Sequence, residues 1–241
     1  MVPARWGQLV WGAMSALALV MLTRTMVRWE GRKARDVGLV LERATARRFL
    51  SGALLGFAVF ATSVAAIALF TGALRLVPTG GPDGGAALLT LSTLLALTAM
   101  EELGFRGYTL RVLGPVLGGW RAQAVVAIAF ALSHVAFGWP WQSIALGVFP
   151  SAVLFGACAV ASGGLAMPIG VHMAVNVARW AVGETDGVGF WTVAVDASAQ
   201  TSVAATAQLV SPVVTLVAAG AVWTWQAHSA RKSGEPSLAA T

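Results

Sequence analysis

Hydrophobic and polar positions divide the chain into long apolar segments separated by short connections rich in glycine, proline or charge. A helix needs about 20 residues to cross the hydrocarbon layer of a bilayer. Seven segments reach or approach that length, and the pattern therefore predicts an all-α, polytopic transmembrane helix bundle with about seven spans. The segments are Trp6–Thr23, Phe49–Leu74, Ala86–Leu113, Ala122–Phe137, Ser143–Val160, Leu165–Val182 and Ala207–Gln226.

The connections are too short to hold a soluble domain, and no internal repeat is visible. We expect one integral membrane domain over residues 1–228, with a motif-bearing core at about 86–182, and a disordered cytoplasmic tail over residues 229–241. Gly114 and Pro115 are expected to end the third helix. The apolar patch Phe190–Val195 is expected to lie on the membrane surface.

Composition supports lipid as the solvent of this chain. Hydrophobic residues make up 57% and charged residues 11%, against about 25% charged in soluble domains. The basic residues lie in short connections and cannot form the extended face that binds nucleic acid. We therefore predict the lipid bilayer as a partner and exclude nucleic acid. The single cysteine, Cys158, excludes an internal disulfide and any zinc site built from several cysteines.

The basic residues also predict an orientation, because Lys and Arg accumulate in cytoplasmic connections. Alternating the spans places 13 of the 16 basic residues on one side, with the N-terminus outside and the C-terminus cytoplasmic. The other side keeps the acidic connection after the sixth segment. The first segment is expected to stay in the protein as a span rather than to be cleaved as a signal peptide. Its positive charges lie on its C-terminal side, whereas a secretory signal carries them on its N-terminal side. The residues on the basic side are Arg24, Arg28, Arg32, Lys33, Arg35, Arg43, Arg47, Arg48, Arg106, Arg111, Arg121, Arg231 and Lys232.

Ionisable side chains inside apolar spans are costly and are therefore candidates for function. Glu102 and Arg106 are four residues apart, so they share a helix face and can form an ion pair. Glu101 is rotated by about 100° and lacks that partner, which suits a general base. The alternative is that both glutamates lie at a helix end in headgroup water.

Three further polar side chains lie in later spans. His134 follows Phe130 by one turn, and it is either a catalytic group or a hydrogen-bonded structural histidine. His172 and Asn176 are four residues apart, so they project into the same space. They can donate hydrogen bonds to an oxyanion or hold two helices together.

Helical rise tests whether these groups can meet. At about 1.5 Å per residue, His134 lies about 20 Å from Arg121, and Glu101 lies about 18 Å from Leu113. His172 and Asn176 lie about 10 and 16 Å from the start of their segment. The groups can converge in one buried pocket only if the third helix is long and unbroken.

The three motifs, Glu101-Glu102-x-x-x-Arg106, Phe130-x-x-x-His134 and His172-x-x-x-Asn176, together resemble the CPBP family of intramembrane proteases. That family includes type II CAAX prenyl endopeptidases and bacteriocin-processing homologues. The resemblance covers roughly residues 89–180. The seven spans predicted here differ from the eight spans of the prenyl endopeptidases.

The resemblance implies a membrane bundle with a polar cavity, in which Glu101 activates water and His134 helps to hold that water. His172 and Asn176 would stabilise the oxyanion, while Glu102 and Arg106 would support the site. It implies no required cofactor. Zinc is the alternative, because two histidines and a carboxylate can bind it, although no His-Glu-x-x-His is present.

We therefore expect a multi-pass intramembrane endopeptidase of the glutamate type in the plasma membrane of a prokaryote, acting on a membrane-embedded or lipidated peptide. The first alternative is a non-catalytic immunity or scaffold protein that uses the same polar cluster for packing or partner binding. A transporter or proton relay is the second alternative, but the paired repeats typical of transporters are absent from the sequence.

Overall fold

The computed structural model describes residues 4–39, 41–185 and 189–233, and these fold almost entirely into helices. The all-α prediction is therefore confirmed. The α-helices are α1 (Ala4–Trp29), α2 (Ala44–Thr71), α3 (Gly84–Glu102), α4 (Leu110–Leu117), α5 (Gly119–Ser133), α6 (Trp141–Ser143), α7 (Phe149–Ser162), α8 (Ala166–Ala181) and α9 (Gln200–Ser233). The strands are β1 (Leu74–Pro78) and β2 (Trp191–Val195).

Within the described residues, six helical stretches are long and apolar enough to cross a membrane, so the protein is a multi-pass membrane protein. The sixth predicted segment forms α8, which has only 16 residues. Such a helix is about 24 Å long, shorter than the roughly 30 Å hydrocarbon layer. A seventh span and the orientation therefore stay predictions. The six stretches are Trp6–Trp29, Ala44–Thr71, Gly84–Leu117, Gly119–Phe137, Trp141–Ser162 and Ala197–Lys232.

The third span is long, as the site requires, but it is not regular. A π-helical segment, Leu103–Thr109, joins α3 to α4, and Gly107 within it has a non-helical ψ of −112°. The predicted end at Gly114 and Pro115 is wrong, because α4 continues through both residues to Leu117. A proline removes one backbone hydrogen bond from a helix. Here the helix ends only where Gly118 takes a φ of 83°, a conformation that glycine adopts without strain.

Close packing of α2 against α8 fixes the helix that carries His172. Glycines allow this approach, because a Cβ on Gly52 would lie 2.2 Å from the Met167 carbonyl oxygen. A Cβ on Gly170 would likewise lie 2.1 Å from the Phe49 carbonyl oxygen. Small residues at such crossings are typical of helices packed inside membranes.

The two ends of the bundle differ in structure. One end, here called the basic end, carries the α1–α2, α4–α5 and α7–α8 connections. The opposite end, here called the sheet end, carries β1 and β2, which pair antiparallel with Leu74 opposite Val195.

The patch Phe190–Val195 was predicted only as a surface segment, and five of its six residues form β2. Its predicted place on the membrane is not tested. The last helix, α9, starts at Gln200 rather than Ala207 and includes Ser229–Ser233 of the predicted tail. Residues 234–241 of that tail lie outside the described residues.

Candidate active site

The predicted ion pair between Glu102 and Arg106 is present and fully buried. Arg106 Nη1 lies 3.1 Å from Glu102 Oε1, and both side chains have no exposed surface. Arg106 Nη2 also donates to the backbone oxygen of Ala152, on α7, at 3.1 Å. The pair therefore joins the third span to α7, and it forms although Arg106 lies inside the π-helical segment.

His172 lies between the two neighbouring glutamates, a contact that links α8 to α3. Its Nδ1 is 2.8 Å from Glu102 Oε1, and its Nε2 is 3.6 Å from Glu101 Oε2. A carboxylate only accepts hydrogen bonds, so the first contact requires a hydrogen on Nδ1. In the neutral ring Nε2 is then an acceptor, and it donates only when the ring carries both protons.

Glu101 differs from its neighbour in exposure and in partners. Its side chain is 26% exposed, whereas that of Glu102 is fully buried. The distance of 3.6 Å to His172 is too long for a hydrogen bond. The expected rotation of Glu101 away from the ion pair is thus present, and its carboxylate is free to accept a proton from a small molecule beside His172.

Aromatic rings enclose the buried charges. The Phe155 ring stacks on His172, with centroids 4.3 Å apart and an interplanar angle of 17°. The Arg106 guanidinium carbon lies 4.3 Å from the centre of the Phe130 ring, within the range of a cation–π interaction. These rings limit how far the His172 and Arg106 side chains can turn. Phe155 could not be singled out from the sequence, because it is one apolar residue in an apolar run.

Asn176 lies one turn beyond His172 and faces the same helix of the third span. Its Nδ2 donates to Thr98 Oγ1 at 3.4 Å, which leaves a second amide hydrogen for another acceptor. Thr98 was not among the predicted site residues. Its position three residues before Glu101 placed it on the same helix face, so the spacing carried a signal that was overlooked.

His134 occupies the end of α5, at the first residue of a 3₁₀ turn that runs to Phe137. Its Nδ1 is 2.9 Å from the Phe130 backbone oxygen, which requires a hydrogen on Nδ1 and leaves Nε2 as an acceptor. The Trp139 ring contacts it edge to face, with centroids 5.2 Å apart.

A cavity of about 480 Å³ connects these groups, and His134, His172 and Asn176 all line it. Glu101 is not among its lining residues and adjoins the cavity through the Nε2 of His172. The structure therefore brings the predicted residues together from three helical segments. Their catalytic roles remain predictions, because geometry alone does not show turnover.

Metal ligation requires several side chains at short mutual distance. Within the described part of the chain, no three His, Cys, Asp or Glu side chains form a group that could hold a metal ion.

The family comparison covers the part of the chain that contains this site. Residues 83–178 match the family model described as type II CAAX prenyl endopeptidase Rce1-like. This segment is therefore similar to a CAAX protease-like family. The CAAX protease-like segment includes all six predicted site residues, while α1, α2 and α9 lie outside it. No curated protein and no solved structure gives a significant match.

Proposed function

We propose that the protein is an intramembrane endopeptidase of the glutamate type that hydrolyses a peptide bond in a membrane-associated or lipidated substrate. The observation that carries the proposal is the position of Glu101. Its carboxylate lies 3.6 Å from His172 Nε2, beside a cavity, in a segment that matches the model of a protease family. A general base needs such a place within reach of a water molecule.

In the proposed reaction, Glu101 takes a proton from a water molecule while the water oxygen bonds to the carbonyl carbon of the peptide. His134 Nε2 is an acceptor on the same cavity and helps to hold the water. The carbonyl oxygen becomes an oxyanion, which Asn176 Nδ2 and a doubly protonated His172 can stabilise. The C–N bond then breaks, and the leaving amine takes the proton from Glu101.

Glu102 and Arg106 act on the reaction through His172. The Glu102 carboxylate accepts from Nδ1 and so directs Nε2 towards Glu101, as the buried carboxylate does for the histidine of a catalytic triad. Arg106 holds that carboxylate in place. We propose both as positioning residues.

The setting of the reaction follows from the membrane fold. We propose that the basic end faces the cytoplasm, that the enzyme works in the plasma membrane of a prokaryote, and that no tightly bound metal is required. The alternative is an immunity or scaffold protein. The buried Glu102–Arg106–His172 network supports it, because such a network also strengthens helix packing without any catalysis.

Purified protein in proteoliposomes, presented with a library of peptides in free and lipidated form, tests this proposal. We expect mass spectrometry to find products of internal peptide-bond hydrolysis, formed equally with and without a zinc chelator. Loss of cleavage with the chelator would contradict the metal-independent reaction. Absence of cleavage across the library would contradict the peptidase and favour the scaffold.

A further inference from the structure

The cavity occupies only the half of the bundle nearest the sheet end. On α2 it is lined from Val59, in the middle of the helix, to Ile67, one turn before the helix ends. On α8 the lining runs from His172 to Arg179, near the last turn. On α9, which runs the opposite way, the lining lies near the start of the helix, from Ala207 to Thr215. The mouth of the cavity therefore lies at the sheet end.

Side-chain exposure increases along α8 towards the sheet end, which agrees with this position of the mouth. The side chain of His172 is only 8% exposed and forms the floor of the cavity with Phe155. Arg179 and Glu184, which pair at 3.0 Å, also line the cavity, with side chains 38% and 42% exposed. The Arg179–Glu184 pair therefore lies at the exposed part of the cavity, and His172 lies at its buried end.

The two ends differ in net charge, because basic and acidic residues balance at the sheet end, where Arg5 also lies at the start of α1. At the sheet end, the described charged residues include two ion pairs, Arg75–Asp196 and Arg179–Glu184, and Asp83 at the start of α3. The basic end carries a large excess of positive charge on the exposed α1–α2 connection, on α5 and on the end of α9. Its basic residues include Arg28, Arg32, Lys33, Arg35, Arg43, Arg47, Arg48, Arg121, Arg231 and Lys232.

Basic connections stay on the cytoplasmic side during membrane insertion. The mouth of the cavity lies at the end that lacks the basic connections. From these two observations we propose that the substrate enters from the non-cytoplasmic side, as an extended peptide segment exposed at that membrane surface. This inference rests on the proposed peptidase function.

The walls of the cavity fit such a peptide. Three polar residues of α9 face it, namely Gln208, Ser211 and Thr215, at spacings that place them on one side of the helix. An adjoining wall is formed by α2, which packs against α9, and most of its lining residues are apolar, as at Val59 and Ile67. An extended peptide can direct backbone groups towards α9 and apolar side chains towards α2.

Single cysteines test the side of entry without any need for cleavage. Gln208→Cys places a thiol in the cavity, and Arg35→Cys places one on the exposed basic connection as the matched control. Both are made in a Cys158→Ala background, which removes the one native thiol. Intact bacterial cells and inverted membrane vesicles are then treated with a membrane-impermeant maleimide, and the labelled fraction is measured against labelling in denaturant.

We expect Gln208→Cys to be labelled in intact cells and Arg35→Cys only in inverted vesicles. Labelling of Gln208→Cys only in inverted vesicles would overturn the proposal. Failure to label it in either preparation, while denaturant exposes it, would also overturn the proposal, because the cavity would then be closed. An inactive protein with the expected labelling would refute only the peptidase, and an active protein with reversed labelling would refute only the side of entry.

Discussion

His172 has a carboxylate near each nitrogen of its ring, and the two carboxylates differ in what they can do. Glu102 is fully buried and already accepts from His172 and Arg106, an arrangement that suits the proposed role of holding the ring. Glu101 is partly exposed and has no hydrogen bond to the ring. A rotation of about 100° along one helix thus gives two adjacent residues of the same type different surroundings.

Arg106→Met should destabilise the protein strongly. Methionine replaces the arginine with an unbranched apolar side chain and so leaves Glu102 buried without its cation. Such a loss typically costs about 3–5 kcal/mol. The free energy of unfolding in detergent measures this loss. The control is Arg32→Met, which removes the exposed partner of Glu30 and should cost about 0–1 kcal/mol. Equal effects of the two substitutions would contradict a structural role for the buried pair.

Asn176→Ala should lower kcat by roughly 10²–10³ with little change in KM, because an oxyanion donor acts mainly in the transition state. Thr98→Val removes the partner of Asn176 but keeps the amide, so its effect on kcat should be smaller. Steady-state kinetics on both variants provides the comparison. A kcat of Asn176→Ala equal to that of the wild type would remove Asn176 from the oxyanion site.

Local spacing explains which residue contacts could be predicted from the sequence. The Glu102–Arg106 pair follows from a separation of four residues on a helix, a rule that needs no knowledge of the fold. The contact between His172 and Glu102 joins residues 70 positions apart. It depends on how α8 packs against the third span, which no local pattern specifies. The stacking of Phe155 on His172 has the same origin.

At the scale of elements, the contact between α2 and α8 sets the position of the site. A Cβ atom on Gly52 would overlap the carbonyl oxygen of Met167, and one on Gly170 would overlap the carbonyl oxygen of Phe49. Backbone atoms cannot rotate away as a flexible side chain can, so these glycines fix the distance between the helices. His172 follows Gly170 by two residues and takes its place from this packing.

Gly52→Ala should therefore destabilise the protein by about 1–3 kcal/mol, the typical cost of an overpacked site. Gly220→Ala is the matched control, because a Cβ there meets no atom within 4 Å. Alanine favours a helix over glycine, so that control should be neutral or slightly stabilising. Thermal unfolding of both variants in detergent measures the difference. A neutral Gly52→Ala would contradict the close approach of α2 and α8.

The lengths of the apolar segments predicted the helices, because a helix must be long and apolar to cross a bilayer. These lengths did not predict local irregularities within the helices. The π-helical segment Leu103–Thr109 carries no breaker pattern apart from its glycines. The pairing of β1 with β2 brings together residues more than 100 positions apart. Each strand has only five residues, and alternation of apolar and polar residues over so short a segment is a weak sign of a strand.

At the scale of the whole molecule, the membrane fold and the polar site depend on each other. Six apolar stretches among the described residues give the chain a low-dielectric interior, and the two fully buried charged residues within it, Glu102 and Arg106, belong to the candidate site. Composition predicted this organisation, because apolar spans with few charges make each buried charge conspicuous. The number of spans and the side that each end faces depend on lipid contacts and remain predictions.

Cleavage by Glu101→Gln in proteoliposomes tests the central proposal most directly. Glutamine keeps the size of the side chain but cannot accept the proton of water, so we predict that cleavage falls to background while the variant inserts and unfolds like the wild type. Glu42→Gln, in the α1–α2 connection at the basic end, should keep full activity. A Glu101→Gln protein that cleaves peptide at the wild-type rate would contradict a glutamate-activated water at this site.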